Sequence, residues 1–284
     1  MKKIKVKFCG LFGEGDSVRE GHIYKILNKY YEVELSENPD YLFYDDSSYE
    51  YLKYNCVKIF FTGENLSPNF NLCDYGIGYD HMNFGDRYYR LPMYLVAVFY
   101  NKSELDLLGN MDFTKPGAFT KQDLSKKTDF CSFVYSNYLS DSSRKEFFEK
   151  LSTYKRVDAG GRYLNNIGGR VENKLEFESK HKFSIAFENT ARSGYTTEKI
   201  VCSLSAKTIP IYWGNPDVGK EFNEKRFINC HNYRTFDEVV ERVKEIDNDD
   251  ELYLSIVNQP VTIVGYDFKE VQGGFEVFLK NIFD

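Results

Sequence analysis

The chain has 284 residues, of which 42% are hydrophobic, 17% aromatic and 28% charged. This length is enough for two compact domains, and the composition excludes a disordered or fibrous protein. A formal net charge of −6 argues against sequence-independent nucleic-acid binding, which depends on Lys and Arg contacts to phosphates.

The amino terminus, MKKIKVKFCG, carries charges but no apolar run long enough for a signal peptide or a membrane span. The six cysteines are scattered, with no CxxC pair and no metal-ligand spacing. We therefore expect a reduced, cytoplasmic protein with no transmembrane segment, no metal site and no nucleic-acid partner.

Short β-branched or aromatic runs alternate with amphipathic stretches, a pattern typical of βαβ units. In the first half the pattern predicts a helix over 18–30, a strand end running into a helix over 91–108, and strands over 3–10, 33–36, 41–46, 57–64 and 75–80. Residues 110–128 are polar and contain a Pro-Gly pair, and they are predicted to form an inter-domain loop.

The second half repeats the alternation. It predicts strands over 129–137, 155–161, 181–189, 208–215 and 226–233, and helices over 142–155, 196–207 and 235–246. The tail over 268–283 is amphipathic, although Gly273 and Gly274 weaken a helix there. The fold class predicted is α/β, with two Rossmann-like domains facing each other across a cleft. Their predicted ranges are 1–120 and 121–284, and the C-terminal helix is free to pack back on the first domain.

Residues 181–218 are the most informative segment: a buried strand, a polar Gly-containing loop, a helix and a second buried strand. Thr196 and Thr197 are good amino-terminal caps, and the free amides of such a helix end suit a nucleotide diphosphate. Lys199 would neutralise the phosphates, and Glu198 would accept hydrogen bonds from ribose or sugar hydroxyls. Alternatively, Glu198 only complements the helix dipole and Lys199 is solvated.

Within this segment, FENTARSGYTTEKI and TIPIYWGNPDV resemble the donor-binding signature of the α-1,3-fucosyltransferases, especially the bacterial enzymes. The resemblance extends to FFTGENLSPNFNLCDYGIGYD, RYYRLPMY and VDAGGRYLNN, in the expected order, and covers about 57–237. The first fifty residues and the tail match only in general character. The tail also lacks the heptad repeats and basic amphipathic helix of some bacterial members.

The resemblance implies a GT-B type glycosyltransferase that takes fucose from GDP-fucose with inversion, with an acceptor domain followed by a donor domain. Inversion by direct displacement needs a base for the acceptor hydroxyl and cationic stabilisation of the departing diphosphate. By the motif match, Glu64 falls on the family's proposed general base. Glu64 also follows an apolar strand, where open α/β sheets place their sites. The alternative is a helix-capping or ion-paired carboxylate.

The same resemblance assigns six residues to GDP-fucose: Arg162, Glu188, Asn189, Tyr195, Glu198 and Lys199. Arg162 and Lys199 would contact the phosphates, since an Arg fork suits bidentate phosphate binding. Alternatively, Arg162 is a surface residue of a turn, Tyr195 is a packed aromatic, and the Glu188–Asn189 pair only satisfies loop backbone groups.

The predicted reaction places fucose on the 3-hydroxyl of GlcNAc in LacNAc-type glycans, giving a Lewis x-like product. A different nucleotide-sugar donor, a different linkage or a non-catalytic glycan-binding protein are the alternatives. No cofactor is expected, although a divalent cation accompanying the diphosphate would stimulate the reaction. The four histidines are interpreted as structural or surface residues, and the DxD within 247–250 as a solvated acidic loop rather than a metal motif.

Overall fold

The computed structural model describes residues 1–10, 15–100 and 113–284. The chain forms two compact units, of which unit 1 comprises Met1–Leu95 and Asp267–Asp284 and unit 2 comprises Val96–Tyr266. Unit 2 therefore begins before the boundary predicted after residue 120. Unit 1 is assembled from two separate stretches of the chain.

The described part of the chain contains eleven strands: β1 (Lys2–Cys9), β2 (Tyr31–Leu35), β3 (Tyr41–Tyr44), β4 (Val57–Phe61), β5 (Tyr75–Gly78), β6 (Tyr88–Arg90), β7 (Asp129–Phe133), β8 (Val157–Ala159), β9 (His181–Phe187), β10 (Ile209–Trp213) and β11 (Ile228–Asn229). Its α-helices are α1 (His22–Tyr30), α2 (Met93–Tyr100), α3 (Lys121–Leu124), α4 (Ser143–Ser152), α5 (Lys174–Ser179), α6 (Glu198–Ser205), α7 (Phe236–Asp247), α8 (Asp250–Val257) and α9 (Phe268–Phe283). Short 3-10 helices cover Gly15–Glu20, Glu50–Lys53, Gly85–Arg87, Val218–Lys220, Glu224–Arg226 and Cys230–Asn232.

Unit 1 is built on a six-stranded parallel sheet in the order β2-β1-β3-β4-β5-β6. Strands β3 and β4 are almost continuously apolar and buried, as expected for parallel strands covered on both faces. Helix α9 packs on this unit, since Phe283 lies 4.5 Å from Tyr41 between ring centres and Glu276 pairs with Lys29 at 2.9 Å. The last helix of the chain therefore completes the core of the first unit.

Unit 2 is built on a five-stranded parallel sheet in the order β11-β10-β9-β7-β8. The chain passes from β7 to β8 on one side and then returns to place β9 on the other side of β7. The topological switch point therefore lies between β7 and β9. In open α/β sheets, ligands bind outside the carboxyl ends of the strands at such a point.

The α/β class with two parallel sheets, as in the GT-B type, is confirmed. Strand β6 and helices α5 and α8 were not predicted, and α3 lies inside the predicted loop over 110–128, where a Thr120–Asp123 capping box starts it. Helix α9 continues through both of its glycines. Of the helix predicted to end at 108, residues 101–108 lie outside the described residues.

The acidic segment over 247–250 is not a solvated loop, so that prediction was wrong. Asp247 is buried, its Oδ1 lies 2.9 Å from the Lys182 ammonium, and the Tyr154 hydroxyl donates to its Oδ2 at 2.9 Å. Asp249 caps helix α8 by accepting the Leu252 amide hydrogen at 2.9 Å. Both carboxylates have structural partners. Among the described residues, no helix combines the length and apolarity that a membrane crossing requires.

Candidate active site

Five of the six residues predicted to bind the donor lie around the start of helix α6 in unit 2. Glu188 and Asn189 directly follow strand β9, Tyr195 lies in the loop before the helix, and Glu198 and Lys199 begin its first turn. Strand β9 borders the switch point of the sheet. The sequence therefore brings these groups to the edge where an α/β sheet binds its ligand.

Glu188 is fully buried and binds the amino-terminal end of helix α6. Its Oε1 accepts the Thr197 amide hydrogen at 2.8 Å, and its Oε2 accepts the Thr197 hydroxyl hydrogen at 2.6 Å. Thr197 is the N-cap residue, but its own side chain makes no capping bond. The Glu188 carboxylate thus satisfies a free amide of the helix and complements its dipole.

Lys199 is held against the same carboxylate. Its ammonium donates to the Thr197 hydroxyl at 2.8 Å and lies 3.2 Å from Glu188 Oε2 and 3.5 Å from Glu198 Oε1. Burial lowers the pKa of Lys199, but the Glu188 and Glu198 carboxylates outweigh it and hold that pKa above its ordinary value. The site therefore presents a permanent cation whose position is fixed by two acids.

Glu198 is only partly covered, with 44% of its side chain exposed. Burial raises the pKa of its carboxyl, whereas Lys199 and Lys174 lower it, and the net pKa lies below the ordinary value. The carboxylate is therefore charged at neutral pH and can accept hydrogen bonds from hydroxyl groups.

Asn189 is oriented by Arg144, a residue of helix α4 that the sequence did not indicate. Arg144 is 1% exposed, and its Nη2 donates to Asn189 Oδ1 and to the Phe187 carbonyl, each at 3.0 Å. Its guanidinium also lies 4.0 Å from the Tyr135 ring centre. Arg144 stands in the charged run SSRKEFFEK, in which nothing distinguishes a buried arginine from a solvated one.

The loop between β9 and α6 is fixed by Asn215, a second residue that the sequence analysis missed. Asn215 is fully buried; its Oδ1 accepts the Gly194 amide hydrogen at 2.8 Å, and its Nδ2 donates to the Thr196 hydroxyl at 3.0 Å. Tyr195 lies between these two contacts and is 2% exposed. The GNP sequence after β10 therefore anchors the loop between β9 and α6.

Gly214 precedes Asn215 and lies directly against Glu188. Its φ is +152°, and a Cβ there would lie 2.4 Å from Glu188 Cγ, so a side chain would displace the buried carboxylate. In the sequence, this contact between Gly214 and Glu188 is indicated only by the position of a glycine directly after a strand.

Arg162 lies at the same edge of the sheet but apart from this cluster. It follows β8 and Gly161, where a Cβ would lie 1.8 Å from the Tyr135 carbonyl oxygen. The sheet order separates β8 from β9 by one strand. The Arg162 side chain is exposed and makes no hydrogen bond or ion pair with any residue that the structure describes. Its guanidinium is thus open to an incoming anion.

Glu64 belongs to unit 1, three residues beyond strand β4. Its backbone amide donates to the Thr62 hydroxyl at 3.1 Å, and that hydroxyl donates to Asp46 Oδ1 at 2.6 Å. Within the described ranges the exposed Glu64 carboxylate has no hydrogen-bond or ion-pair partner, and Glu64 starts no helix. The carboxylate is therefore open to a substrate hydroxyl, as a general base requires.

A segment in each unit matches a known protein family. Residues 6–97 match the family described as the alpha-(1,3)-fucosyltransferase FucT N-terminal domain. Residues 124–258 match the C-terminal region of glycosyltransferase family 10 (fucosyltransferase).

The chain is 36% identical to the alpha-(1,3)-fucosyltransferase FucT of Helicobacter pylori over 98% of its own length and 66% of that protein. It is 33% identical to putative fucosyltransferase R654 of Acanthamoeba polyphaga mimivirus, over 55% of its length and 26% of that protein. The chain thus spans slightly less than two thirds of the first of these relatives.

A crystal structure of an alpha1,3-fucosyltransferase superposes with a TM-score of 0.81 and 31% identity, covering 98% of this chain and 90% of that one. A structure of an alpha1,3-fucosyltransferase with GDP-fucose superposes with a TM-score of 0.75 over the same shares of the two chains, also at 31% identity. The chain belongs to the α-1,3-fucosyltransferase family.

Proposed function

We propose that this protein transfers fucose from GDP-fucose, with inversion, to the 3-hydroxyl of GlcNAc in LacNAc-type glycans. The observation that carries the proposal is the fixed Lys199 ammonium, held by Glu188 at the start of helix α6 beside the switch point of unit 2. The crystal structure of a relative that is 31% identical contains GDP-fucose.

In the proposed reaction, Lys199 and Arg162 neutralise the diphosphate as it leaves the anomeric carbon. Glu188 positions Lys199, and Asn189, Tyr195 and Glu198 position the fucose and the ribose through hydrogen bonds. Pre-oriented charges of this kind stabilise developing negative charge without reorganisation during the reaction. The six donor residues all belong to unit 2, which accordingly is the donor domain.

Glu64 takes the proton from the acceptor hydroxyl in the proposed mechanism. The acceptor oxygen then attacks the anomeric carbon as the bond to the diphosphate breaks, and the configuration inverts. We propose that the cytoplasmic enzyme needs no cofactor and that a divalent cation acts only by accompanying the diphosphate. EDTA should then reduce the rate without abolishing it.

The deciding experiment measures GDP release from purified protein and GDP-fucose, with LacNAc or lactose as acceptor. We expect acceptor-dependent release, with a product whose fucose is α-linked at the 3-position by NMR. Glu64→Gln should lower kcat by about 10²–10⁴-fold, the usual contribution of general base catalysis. Its donor affinity by calorimetry should stay within about twofold.

Glu32→Gln is the matched control, because Glu32 is an exposed carboxylate of the same unit. Its activity should equal that of the wild type. GDP-fucose binding without turnover would favour a non-catalytic glycan-binding protein. Absence of both binding and release would favour another nucleotide sugar, to be identified with a donor panel. Donor binding lost in Glu64→Gln would give Glu64 a structural role instead.

A further inference from the structure

Three residues of unit 2 that the proposed function does not use lie close together: Asp129, Asp158 and His181. Each offers one ligand atom, and these three atoms lie within 4.8 Å of one another. We propose that they form a binding site for a divalent transition-metal ion of the zinc type. The site is independent of the sugar-transfer reaction proposed above.

Asp129 and His181 lie at the edge of the sheet away from the donor cluster, and Asp158, which is in register with Ser132 of β7, has its carboxylate next to His181. Asp129 and His181 are the first residues of β7 and β9 and are partners in the parallel register, and Asp158 lies in β8. Glu188 follows the carboxyl end of β9, seven residues after His181. At about 3.3 Å per strand residue, His181 and Glu188 stand about 23 Å apart.

His181 has the orientation of a metal-binding histidine. Its side chain is 1% exposed, and its Nδ1 lies 2.8 Å from the Phe177 carbonyl oxygen. A carbonyl can only accept, so Nδ1 carries a hydrogen and donates it, and Nε2 is the ring atom that faces Asp158. A ring nitrogen tied to a backbone carbonyl while the other binds the metal is the usual arrangement at such sites.

Nε2 of His181 lies 3.3 Å from Asp158 Oδ2. Two acceptor atoms at that distance need a cation between them, either a proton or a metal ion. Two ligands about 2.1 Å from zinc at a tetrahedral angle stand about 3.4 Å apart, so the observed spacing fits a shared metal ion.

The two carboxylates are each held by one neighbour and keep an oxygen for the ion. Arg156 Nε donates to Asp158 Oδ1 at 2.7 Å, which leaves Oδ2 facing His181. The Thr128 hydroxyl donates to Asp129 Oδ2 at 3.3 Å, which leaves Oδ1. Asp129 is only half-buried at the start of its strand, and its ligand atom lies within 4.8 Å of those of Asp158 and His181.

The donor set selects the kind of ion. One imidazole and two carboxylates suit zinc or manganese better than calcium or magnesium, which prefer oxygen ligands alone. Two negative ligands also balance a divalent charge. Three protein ligands leave a fourth position for water, so the ion would sit in an open site.

The test is titration of the metal-free full chain with ZnCl₂ by calorimetry, with MnCl₂ and MgCl₂ as comparisons. We expect one zinc per chain and a higher Tm with zinc. Asp158→Asn and Asp129→Asn should each weaken zinc binding at least tenfold.

Two controls keep the outcome decisive. Cys56→Ser should bind zinc like the wild type, because Cys56 is the least buried of the described cysteines. Cobalt bound in place of zinc should give d–d absorption bands whose position and intensity depend on the ligand set, and His181→Gln should shift and weaken them. Each variant's Tm without metal shows whether it is folded.

The proposal is overturned if zinc shows no saturable binding near one per chain. It is equally overturned if folded Asp158→Asn and His181→Gln bind zinc as the wild type does. In either case a proton shared by His181 and Asp158 would be the cation between them. Sugar transfer is not part of the readout, so failure here leaves the proposed function standing.

Discussion

The ammonium of Lys199 lies between two acids, and one of them, Glu188, is fully buried. Removing Lys199 leaves the buried Glu188 carboxylate without its cation, which typically costs about 3–5 kcal/mol. Lys199→Met should therefore lower the free energy of unfolding by about this amount in urea denaturation. It should also weaken GDP-fucose binding by at least tenfold in calorimetry.

The double variant Glu188→Gln/Lys199→Met separates these two effects. Glutamine still accepts from Thr197 but carries no charge, so most of the lost stability should return. Donor affinity should not return, because the phosphate-binding cation is still absent. If affinity recovers along with stability, Lys199 holds the fold and does not bind the donor.

At this scale the predicted helix start indicated Glu198 and Lys199, and the family resemblance added Glu188 and Asn189. Glu188, Asn189, Glu198 and Lys199 stand beside a strand end or a helix start, and the structure brings them together. Their roles toward the donor stay predictions. Two supports of the site were missed: Arg144 and Asn215. Each acts on a segment distant in sequence, and such a contact has no local signature.

Helix α9 contains two adjacent glycines with different surroundings. Gly273 is exposed, with nothing within 4 Å of an added Cβ. At Gly274 a Cβ would lie 2.5 Å from the Tyr89 hydroxyl oxygen, which itself donates to the Val271 carbonyl at 2.5 Å. Only the second glycine is required for a close approach.

The two alanine variants should therefore change stability in opposite directions. Gly273→Ala should raise the free energy of unfolding by about 0.5–1 kcal/mol, the helix propensity difference. Gly274→Ala should lower it by about 1–3 kcal/mol, because Tyr89 must move and its hydrogen bond to Val271 weakens. Urea denaturation of both variants checks this, and equal effects at the two sites would contradict the structural explanation.

Long helices and strands with strong periodicity were predicted well. Elements that were short, or that began in a segment interpreted as a loop, were not. Strand β6 has three residues and helix α5 six, too few for a periodic pattern to emerge. Helix α8 was missed because its capping residue, Asp249, belongs to an acidic run that was interpreted as a solvated loop. The two glycines of α9 weakened the helix prediction because glycine has a low helix propensity. Propensity does not reveal that Gly274 makes room for Tyr89, a residue distant in sequence.

At the scale of the molecule, unit 1 depends on a segment that follows unit 2 in the chain. Removal of 267–284 takes away the helix that covers Tyr41 and the carboxylate that accepts the Tyr31 hydroxyl hydrogen at 2.7 Å. It also exposes the sheet surface that the buried side chains of α9 cover: Phe268, Phe275, Phe278, Leu279, Ile282 and Phe283.

A chain ending at Tyr266 should therefore lose sugar transfer and retain GDP binding. Unit 2 keeps its sheet and all six predicted donor residues, whereas unit 1 loses part of its core. Hydrogen exchange should show fast exchange confined to β1–β6, and calorimetry should give a GDP affinity within a few-fold of the full chain. Undiminished transfer would show that α9 is dispensable for unit 1.

Because unit 1 is formed by two separate stretches of the chain, its sheet and its last helix are synthesised at different times. Strands β1 to β6 are made first, but their covering helix is translated only after the whole of unit 2. Unit 2 is contiguous and can fold while synthesis continues. Unit 1 cannot complete its core until α9 has been synthesised, and until then the apolar sheet surface that α9 covers is exposed. During synthesis the strands of unit 1 are therefore more exposed to aggregation than unit 2, and chaperone demand should fall once α9 emerges.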